Sequence, residues 1–520
     1  MSIRRGPSAL LLAPAYDHGE YLSAESLGLR AVAAMLHRLG ADVHVVDECP
    51  MPPPDAVRQF ARDAVLVGVG VLFTRQTPDA IELVRWLRRD APAAYYMIGG
   101  QGLQFLWEDV MRDCPELDSA CMYEGDEVIS EVWSRLLSDR DDRGVKGLYV
   151  RDGAGVVSAG PRPPVVRLDD LPFAYREPNA GAYRGGHATM STSRGCAAHC
   201  TFCQSGNYAN RYHELPRWRH RSARSVVDEI AYLHDVHGVD AVSIVDDDFL
   251  GGAGQGRDRA FEFADLLDRL PFRITYSIEC RVDEIDEQIL ARLRSAGLRH
   301  VLIGIESATD PDIKLFGKRT TTAAVEDAIA TLRRLNIDFS TGFIMFQPTS
   351  TLDGVAENLA FLARNRITNY RRLTNRLELY PGAPLLRFYE RQGVALRAGG
   401  YRVYYDFADD LVSHLYAGMR QVLAPYQQVE TICETQRFQA ARGHDDASDQ
   451  RLALLRACAD EISSSLVAAA GRCLSEVSEE GLAASFGQVA TEVAIQTSRL
   501  AAALQPENLT AETTRRRRGR

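Results

Sequence analysis

The 520-residue sequence lacks an uninterrupted apolar run of about eighteen residues, so no membrane-spanning helix is expected. Positive charge is not in excess: 60 Lys and Arg face 70 Asp and Glu, for a net charge of -10. That balance argues against a surface built throughout for nucleic acid or anionic lipid. A composition of 46% hydrophobic and 25% charged residues excludes wholesale disorder. A secretory leader is not indicated either. Arg4-Arg5 precedes the apolar stretch 9–13, but Pro14 ends it, and Tyr16-Asp17-His18-Gly19-Glu20 offers no small-residue cleavage site. The stretch reads as a buried first strand, the expected location is cytoplasmic, and the thiols are expected to be reduced. The ten cysteines then point to burial, metal binding or catalysis, not to a disulfide framework.

Residues 1–140 alternate between short apolar runs and helical periodicity. Strands are expected at 10–13, 43–46, 65–73, 94–98 and 118–123, with helices at 26–39, 55–61, 77–89 and 126–137. Near-continuous apolar strands separated by helices predict an α/β fold with a doubly wound, Rossmann-like parallel sheet. Ligands of such sheets lie at the carboxyl ends of the strands. Residues 141–188 read as a connector, with a small hairpin at 144–157 and a stiff Pro161-Arg162-Pro163-Pro164. A second alternating region, 189–390, offers strands at 189–193, 241–245, 274–278, 301–305, 340–345 and 376–380. Six βα steps predict a partial (β/α)6 barrel with its functional groups at the C-terminal strand ends. Residues 391–510 read as mostly helical, and 511–520 as a solvated basic tail.

Chemistry concentrates in Ser193-Arg194-Gly195-Cys196-Ala197-Ala198-His199-Cys200-Thr201-Phe202-Cys203. Three cysteines spaced by three and then two residues on one loop let three thiolates converge on a single metal centre. A [4Fe–4S] cluster normally takes four thiolates, so three leave one iron open for chemistry. A structural zinc site needs further ligands, of which His199 offers one. Three core cysteines without metal is a poor account of a loop beside Gly195 and His199. His199, Tyr208, Tyr212, His213, Trp218 and His220 are expected to pack over the cluster. Asp246-Asp247-Asp248 ends the second barrel strand and reads in part as a helix-capping turn.

This motif, with Phe202 before the last cysteine, resembles the signature of the radical S-adenosylmethionine (SAM) superfamily. The resemblance implies that Cys196, Cys200 and Cys203 hold a [4Fe–4S] cluster whose open iron takes the amino and carboxylate groups of SAM. It implies reductive cleavage of SAM to a 5′-deoxyadenosyl radical. It also implies SAM contacts at Glu279 and Arg281, ending the third strand, and at Gly304, Glu306 and Ser307 of Gly304-Ile305-Glu306-Ser307, ending the fourth. Gly342-Phe343-Ile344-Met345-Phe346 is similar to the adenine-facing element, with Phe346 in place of a second glycine. Tyr380-Pro381-Gly382-Ala383-Pro384 resembles the sixth-strand turn.

A doubly wound domain ahead of such a barrel resembles the cobalamin-binding radical SAM subfamily, which includes the class B methyltransferases. Gly99-Gly100 and Glu124-Gly125-Asp126-Glu127 carry this resemblance. It implies cobalamin contacts at Gly99, Gly100, Glu124 and Gly125, with Gly102 making room for the ring. The Asp-x-His-x-x-Gly motif, whose His ligates cobalt, is absent, and Asp17-His18-Gly19 has other spacing.

The expected activity is cobalamin-dependent radical C-methylation of an unactivated carbon in a small, natural-product-type molecule. The alternative is a radical SAM dehydratase, cyclase or epimerase that keeps the first domain without using cobalamin. An RNA methylthiotransferase fits badly, because Cys49, Cys114 and Cys121 are scattered and no basic domain follows the barrel. The implied partner is a one-electron reductant such as flavodoxin or ferredoxin; neither nucleic acid nor membrane is expected. Beyond Arg281 the barrel strand ends carry few cations, so a polyphosphate substrate is not indicated.

Overall fold

A computed structural model describes residues 6–15, 25–138, 140–177, 183–205, 216–252, 254–441, 446–505 and 508. Asp17-His18-Gly19, Tyr208, Tyr212, His213 and the basic tail lie outside the described residues. No helix among the described residues is long and apolar enough to cross a membrane.

The first sheet has the order β2-β1-β3-β4-β5-β6-β7. Its strands are β1 (Ser8–Pro14), β2 (Asp42–Cys49), β3 (Ala64–Gly70), β4 (Tyr95–Gly99), β5 (Ser119–Cys121), β6 (Leu148–Asp152) and β7 (Gly155–Ser158). β1 to β5 are parallel. Helices α1 (Leu27–Arg38) and α5 (Asp126–Leu137) cover one face, and α2 (Asp55–Asp63), α3 (Thr77–Asp90) and α4 (Trp107–Asp113) the other. Alternation along β1 shows the reason for its apolar run. Leu10 and Leu12 enter one layer, Ala9, Leu11 and Ala13 the other, so both faces are dry.

The hairpin expected in the connector extends this sheet instead. β6 pairs antiparallel with β5 through Ser119–Val150, Ala120–Tyr149 and Cys121–Leu148. β5 is only three residues long, and the hairpin covers its open edge.

The second sheet is fully parallel, in the order β14-β13-β12-β11-β8. Its strands are β8 (His187–Met190), β11 (Ala241–Ile244), β12 (Thr275–Arg281), β13 (Leu298–Glu306) and β14 (Asp338–Phe343). A two-residue ribbon joins β9 (Ser193–Arg194) to β10 (Arg219–His220). The expected sixth strand is reduced to a parallel bridge between Phe346 and Arg376, after which Leu379 pairs antiparallel with Val403. Val403 lies in β16 (Arg402–Tyr405), which forms a hairpin with β15 (Leu396–Gly399).

Helices Asp410–Ala441, Asp446–Glu480 and Gly487–Ala503 make up the C-terminal region. One apolar core runs from the barrel into them, through Phe346, Phe407, Leu415 and Met419.

Candidate active site between the two sheets

The cysteine loop is anchored by its own backbone. Gly195 has φ 79°, and any side chain there would collide with the Arg217 carbonyl. The Thr201 N–H donates to the Phe316 carbonyl at 3.0 Å, and its hydroxyl donates to the Leu315 carbonyl at 2.7 Å. Its own carbonyl accepts from the Leu385 N–H at 2.9 Å. Phe202 meets the Phe316 ring edge-on at 5.4 Å. The loop is thus held between helices Asp310–Leu315 and Pro384–Arg391.

Cys196, Cys200 and Cys203 are half-buried and free of disulfides. The Cys196 thiol donates to Asp248 Oδ2 at 3.5 Å, and burial pushes the Cys200 thiol up. Among the described residues no three metal-ligating side chains stand in preformed coordination geometry. The donor set still fits an iron–sulfur centre: three thiols on one pinned loop, which lose their protons when they take metal. The Trp218 indole N–H donates to the Asp248 carbonyl at 2.7 Å, and its ring packs beneath Gly251 and beside His220.

At the end of β11 the three aspartates divide their work. Asp246 accepts from the Thr192 N–H at 2.6 Å and the Ser193 N–H at 3.0 Å, fixing the chain as it leaves β8. Asp248 accepts from the Gly251 N–H at 2.9 Å. Asp247 is exposed and accepts from the Ser205 hydroxyl at 2.9 Å. Glu279 on β12 faces Asp246 and Asp247; burial first, then those two carboxylates, push its carboxyl up to about 8.

Arg281 ends β12 in an ion pair with Asp283, its Nε 2.8 Å from Oδ1. Gly304 and Gly342 are register partners on β13 and β14, and their missing side chains make room for the Glu306 carboxylate. A Cβ at Gly304 would lie 2.5 Å from Glu306 Oε1, and one at Gly342 3.2 Å from Oε2. Glu306 has φ 70°, a strained value for a residue with a side chain. Lys318 holds the carboxylate at 3.1 Å and also donates to the Gly304 carbonyl at 2.9 Å.

Lys318 was not signalled by the sequence, since nothing in Gly317-Lys318-Arg319 marks an inward side chain. Ser307 departs from expectation. It is 1% exposed, and its hydroxyl is engaged with Asn358 Oδ1 at 3.1 Å and Asp312 Oδ2 at 3.2 Å, inside the core rather than toward a ligand.

The carboxyl ends of the two sheets meet. Gln101, just after β4, donates to the Ser205 hydroxyl at 3.1 Å. Arg194, just before the cysteine loop, donates to both Asp126 oxygens at 2.7 and 3.0 Å and pairs with Glu124 at 3.1 Å. Glu124 also pairs with Arg219 and accepts from the Val165 N–H at 3.1 Å. Its carboxylate joins the domains rather than standing open to a cofactor.

The glycines likewise serve the chain itself. Gly100 has φ 114°, and a side chain there would strike the Val71 backbone. A Cβ at Gly102 would lie 2.6 Å from the Phe73 carbonyl carbon, and one at Gly99 3.1 Å from Cys121 Cβ. A Cβ at Gly125 would lie 3.3 Å from Val32. A substitution at Gly100 therefore breaks the β3–β4 junction and does not report on a bound ring. Leu72, two residues beyond β3, is 47% exposed, and Val245, the residue after β11, is 41% exposed. A surface hollow of about 680 Å³ lined by Arg38, Lys146 and Arg162 touches none of the three thiols.

The Radical SAM superfamily matches residues 190–362, and the B12 binding domain matches residues 21–132. An uncharacterized methyltransferase of Pyrococcus horikoshii is 26% identical over 70% of this chain and 78% of its own length. The anaerobic magnesium-protoporphyrin IX monomethyl ester cyclase of Cereibacter sphaeroides is 28% identical over 55% of this chain, which spans about half (48%) of that relative. The cobalamin-dependent S-adenosylmethionine radical enzyme OxsB, solved with aqua-cobalamin and S-adenosylmethionine bound, shares the fold. Its TM-score is 0.74 over 98% of this chain and 83% of that one, at 17% identity. With a B12-type sheet and a radical SAM barrel meeting at their strand ends, the chain is a radical SAM superfamily enzyme carrying an N-terminal B12-binding domain, and its cofactors are a [4Fe–4S] cluster, S-adenosylmethionine and cobalamin.

Proposed function

We propose that the enzyme methylates an unactivated carbon of a small molecule, using cobalamin and a 5′-deoxyadenosyl radical. The observation that carries this reading is the shared space. The Gln101–Ser205 and Arg194–Asp126 contacts bring the strand ends of the B12-type sheet to the cysteine loop. When bound, the three cofactors supply an electron, a hydrogen-abstracting radical and a methyl group.

Cys196, Cys200 and Cys203 are assigned as the cluster ligands. Arg281, Glu279 and the Glu306–Lys318 pair are assigned to SAM, with Gly304 and Gly342 leaving room for that pair. Gly99, Gly100, Glu124 and Gly125 position the loops around cobalamin. The cluster takes its electrons from a flavodoxin- or ferredoxin-class reductant. The methyltransferase name of the Pyrococcus horikoshii relative supports methyl transfer.

The decisive experiment supplies methyl-labelled SAM to the anaerobically reconstituted enzyme. Labelled product is expected, with S-adenosylhomocysteine and 5′-deoxyadenosine in comparable amounts. If 5′-deoxyadenosine and an altered product appear without S-adenosylhomocysteine or label transfer, the dehydratase, cyclase or epimerase reading replaces this one.

Arg281→Ala and Glu306→Gln are expected to weaken SAM binding about ten- to a hundredfold, with cluster absorbance unchanged. Each removes a charge-assisted contact worth ~1.5–3 kcal/mol. Equal SAM affinity in wild type and both variants refutes the strand-end assignment.

A further inference from the structure

β13 ends in a tight turn centred on Glu306. The Ser307 N–H donates back to the Ile305 carbonyl at 3.0 Å, and Glu306 between them has φ 70°. A turn closed this way around a positive φ is strained, and it persists only where its surroundings hold it. The register with β14 slips at the same point: Gly304 pairs with Gly342, but Glu306 pairs with Phe343. This turn sets where the Glu306 carboxylate lies, over Gly304 and Gly342 and 3.1 Å from Lys318.

The turn is held from two sides. On the strand side the Ile344 N–H donates to the Glu306 carbonyl at 2.7 Å. On the other side stands Asn358, in helix Leu352–Arg364. Its Oδ1 accepts from the Ala308 N–H at 2.8 Å and from the Ser307 hydroxyl at 3.1 Å. A backbone N–H can only donate, so the Asn358 atom that faces Ala308 is the carbonyl oxygen. Ser307, Ala308 and Asn358 are all buried. A buried N–H that loses its acceptor is costly, so without that oxygen the turn is expected to relax.

The same turn is tied to the elements that pin the cysteine loop. Ser307 Oγ also lies 3.2 Å from Asp312 Oδ2, and Asp312 Oδ1 accepts from Gln347 at 3.2 Å. Gln347 Oε1 in turn accepts from the Tyr389 hydroxyl at 2.7 Å. Asp312 and Tyr389 belong to helices Asp310–Leu315 and Pro384–Arg391, between which the loop is held. None of the Thr201 hydrogen bonds that anchor the loop involves Asn358.

We propose that Asn358 is a positioning residue for SAM: by accepting from the Ala308 N–H and the Ser307 hydroxyl, it holds the strained turn that aims the Glu306–Lys318 pair. The proposal rests on the assignment of that pair to SAM.

The test measures SAM binding to anaerobically reconstituted holoenzyme by calorimetry, in wild type, Asn358→Leu, Glu306→Gln and the double variant. Asn358→Leu keeps the size of the side chain and removes its oxygen. It is expected to weaken SAM binding about tenfold, or ~1.4 kcal/mol, with iron, sulfide and cluster absorbance unchanged. The double variant is expected to bind as Glu306→Gln does, because a residue that acts only through Glu306 then has nothing left to position. The thermal midpoint of Asn358→Leu is expected to fall, so all titrations are run well below it. Should Asn358→Leu fail to fold, Asn358→Ser, whose hydroxyl is too short to reach Ala308, takes its place in the same comparison.

SAM affinity in Asn358→Leu equal to wild type overturns the proposal. So does an equal fold loss in the wild-type and Glu306→Gln backgrounds, which marks general damage to the barrel. When Glu306→Gln itself binds weakly, either result leaves Glu306 assigned to SAM and removes only the role of Asn358. Wild-type affinity in Glu306→Gln refutes the assignment itself, and the proposal falls with it.

Discussion

Replacing Cys196, Cys200 and Cys203 together by alanine is expected to remove all bound iron and sulfide and all SAM cleavage. The fold should survive, because the loop is held by the Thr201 hydrogen bonds and the Phe202–Phe316 contact, not by the thiols. Circular dichroism should therefore match wild type while iron, sulfide and visible absorbance vanish. Cys280→Ala is the control. Cys280 is 5% exposed in the barrel core, and burial pushes its thiol well up, so it is poorly placed to ligate metal. Near-stoichiometric iron in the triple variant would sink the cluster assignment. Loss of cluster in Cys280→Ala would mean that a ligand had been miscounted.

The cysteine loop was legible in the sequence because its chemistry is local, with all three thiols within eight consecutive residues. β1, β3 and β4 were legible because each is dry on both faces and so leaves an apolar run. Residues 376–380 show the limit. Arg376-Leu377-Glu378-Leu379-Tyr380 alternates as a strand should, yet only one parallel bridge forms before Pro381-Gly382 turns the chain.

Glycine was the least informative signal. A glycine that admits a cofactor and one that admits the chain's own backbone look alike in sequence, and Gly100 and Gly102 are of the second kind. The internal contacts of Glu124 and Ser307 were hidden for a related reason. Their partners, Arg194 and Arg219 for one and Asn358 for the other, are about 50 to 95 residues away. Lys318 escaped notice altogether, since only tertiary structure brings it to Glu306.

The largest stability effect is expected at Glu25, a residue without any sequence signature. It stands just before α1, yet it accepts from Arg176 Nε at 2.9 Å, the Tyr183 hydroxyl at 2.5 Å and the Thr189 N–H at 2.5 Å. It thereby ties the B12-type domain to the connector and to β8 of the barrel. The Glu25 and Arg176 side chains are 1% and 0% exposed.

Burial opposes ionisation of Glu25, but Arg176, Tyr183 and Thr189 outweigh it and hold the carboxyl at about 2, against 4.5 unfolded. A carboxyl lowered on folding stabilises above its unfolded pKa and loses that contribution as pH falls toward its folded value. Glu25 should thus contribute ~3 kcal/mol near neutrality, with less than half remaining by about pH 3. Glu25→Ala takes the nearer of two carboxylates from the buried Arg176 guanidinium and is expected to cost ~3 kcal/mol in urea unfolding at pH 7. The gap between wild type and Glu25→Gln should narrow steadily on acidification. The chemistry should feel the same change. Cobalamin is expected to bind more weakly in Glu25→Gln, whereas the cysteine loop lies wholly within the barrel and the iron–sulfur centre is expected to load normally. A stability gap that stays constant from pH 7 to pH 3, or cobalamin affinity equal to wild type, would remove Glu25 as the clamp that sets one sheet against the other.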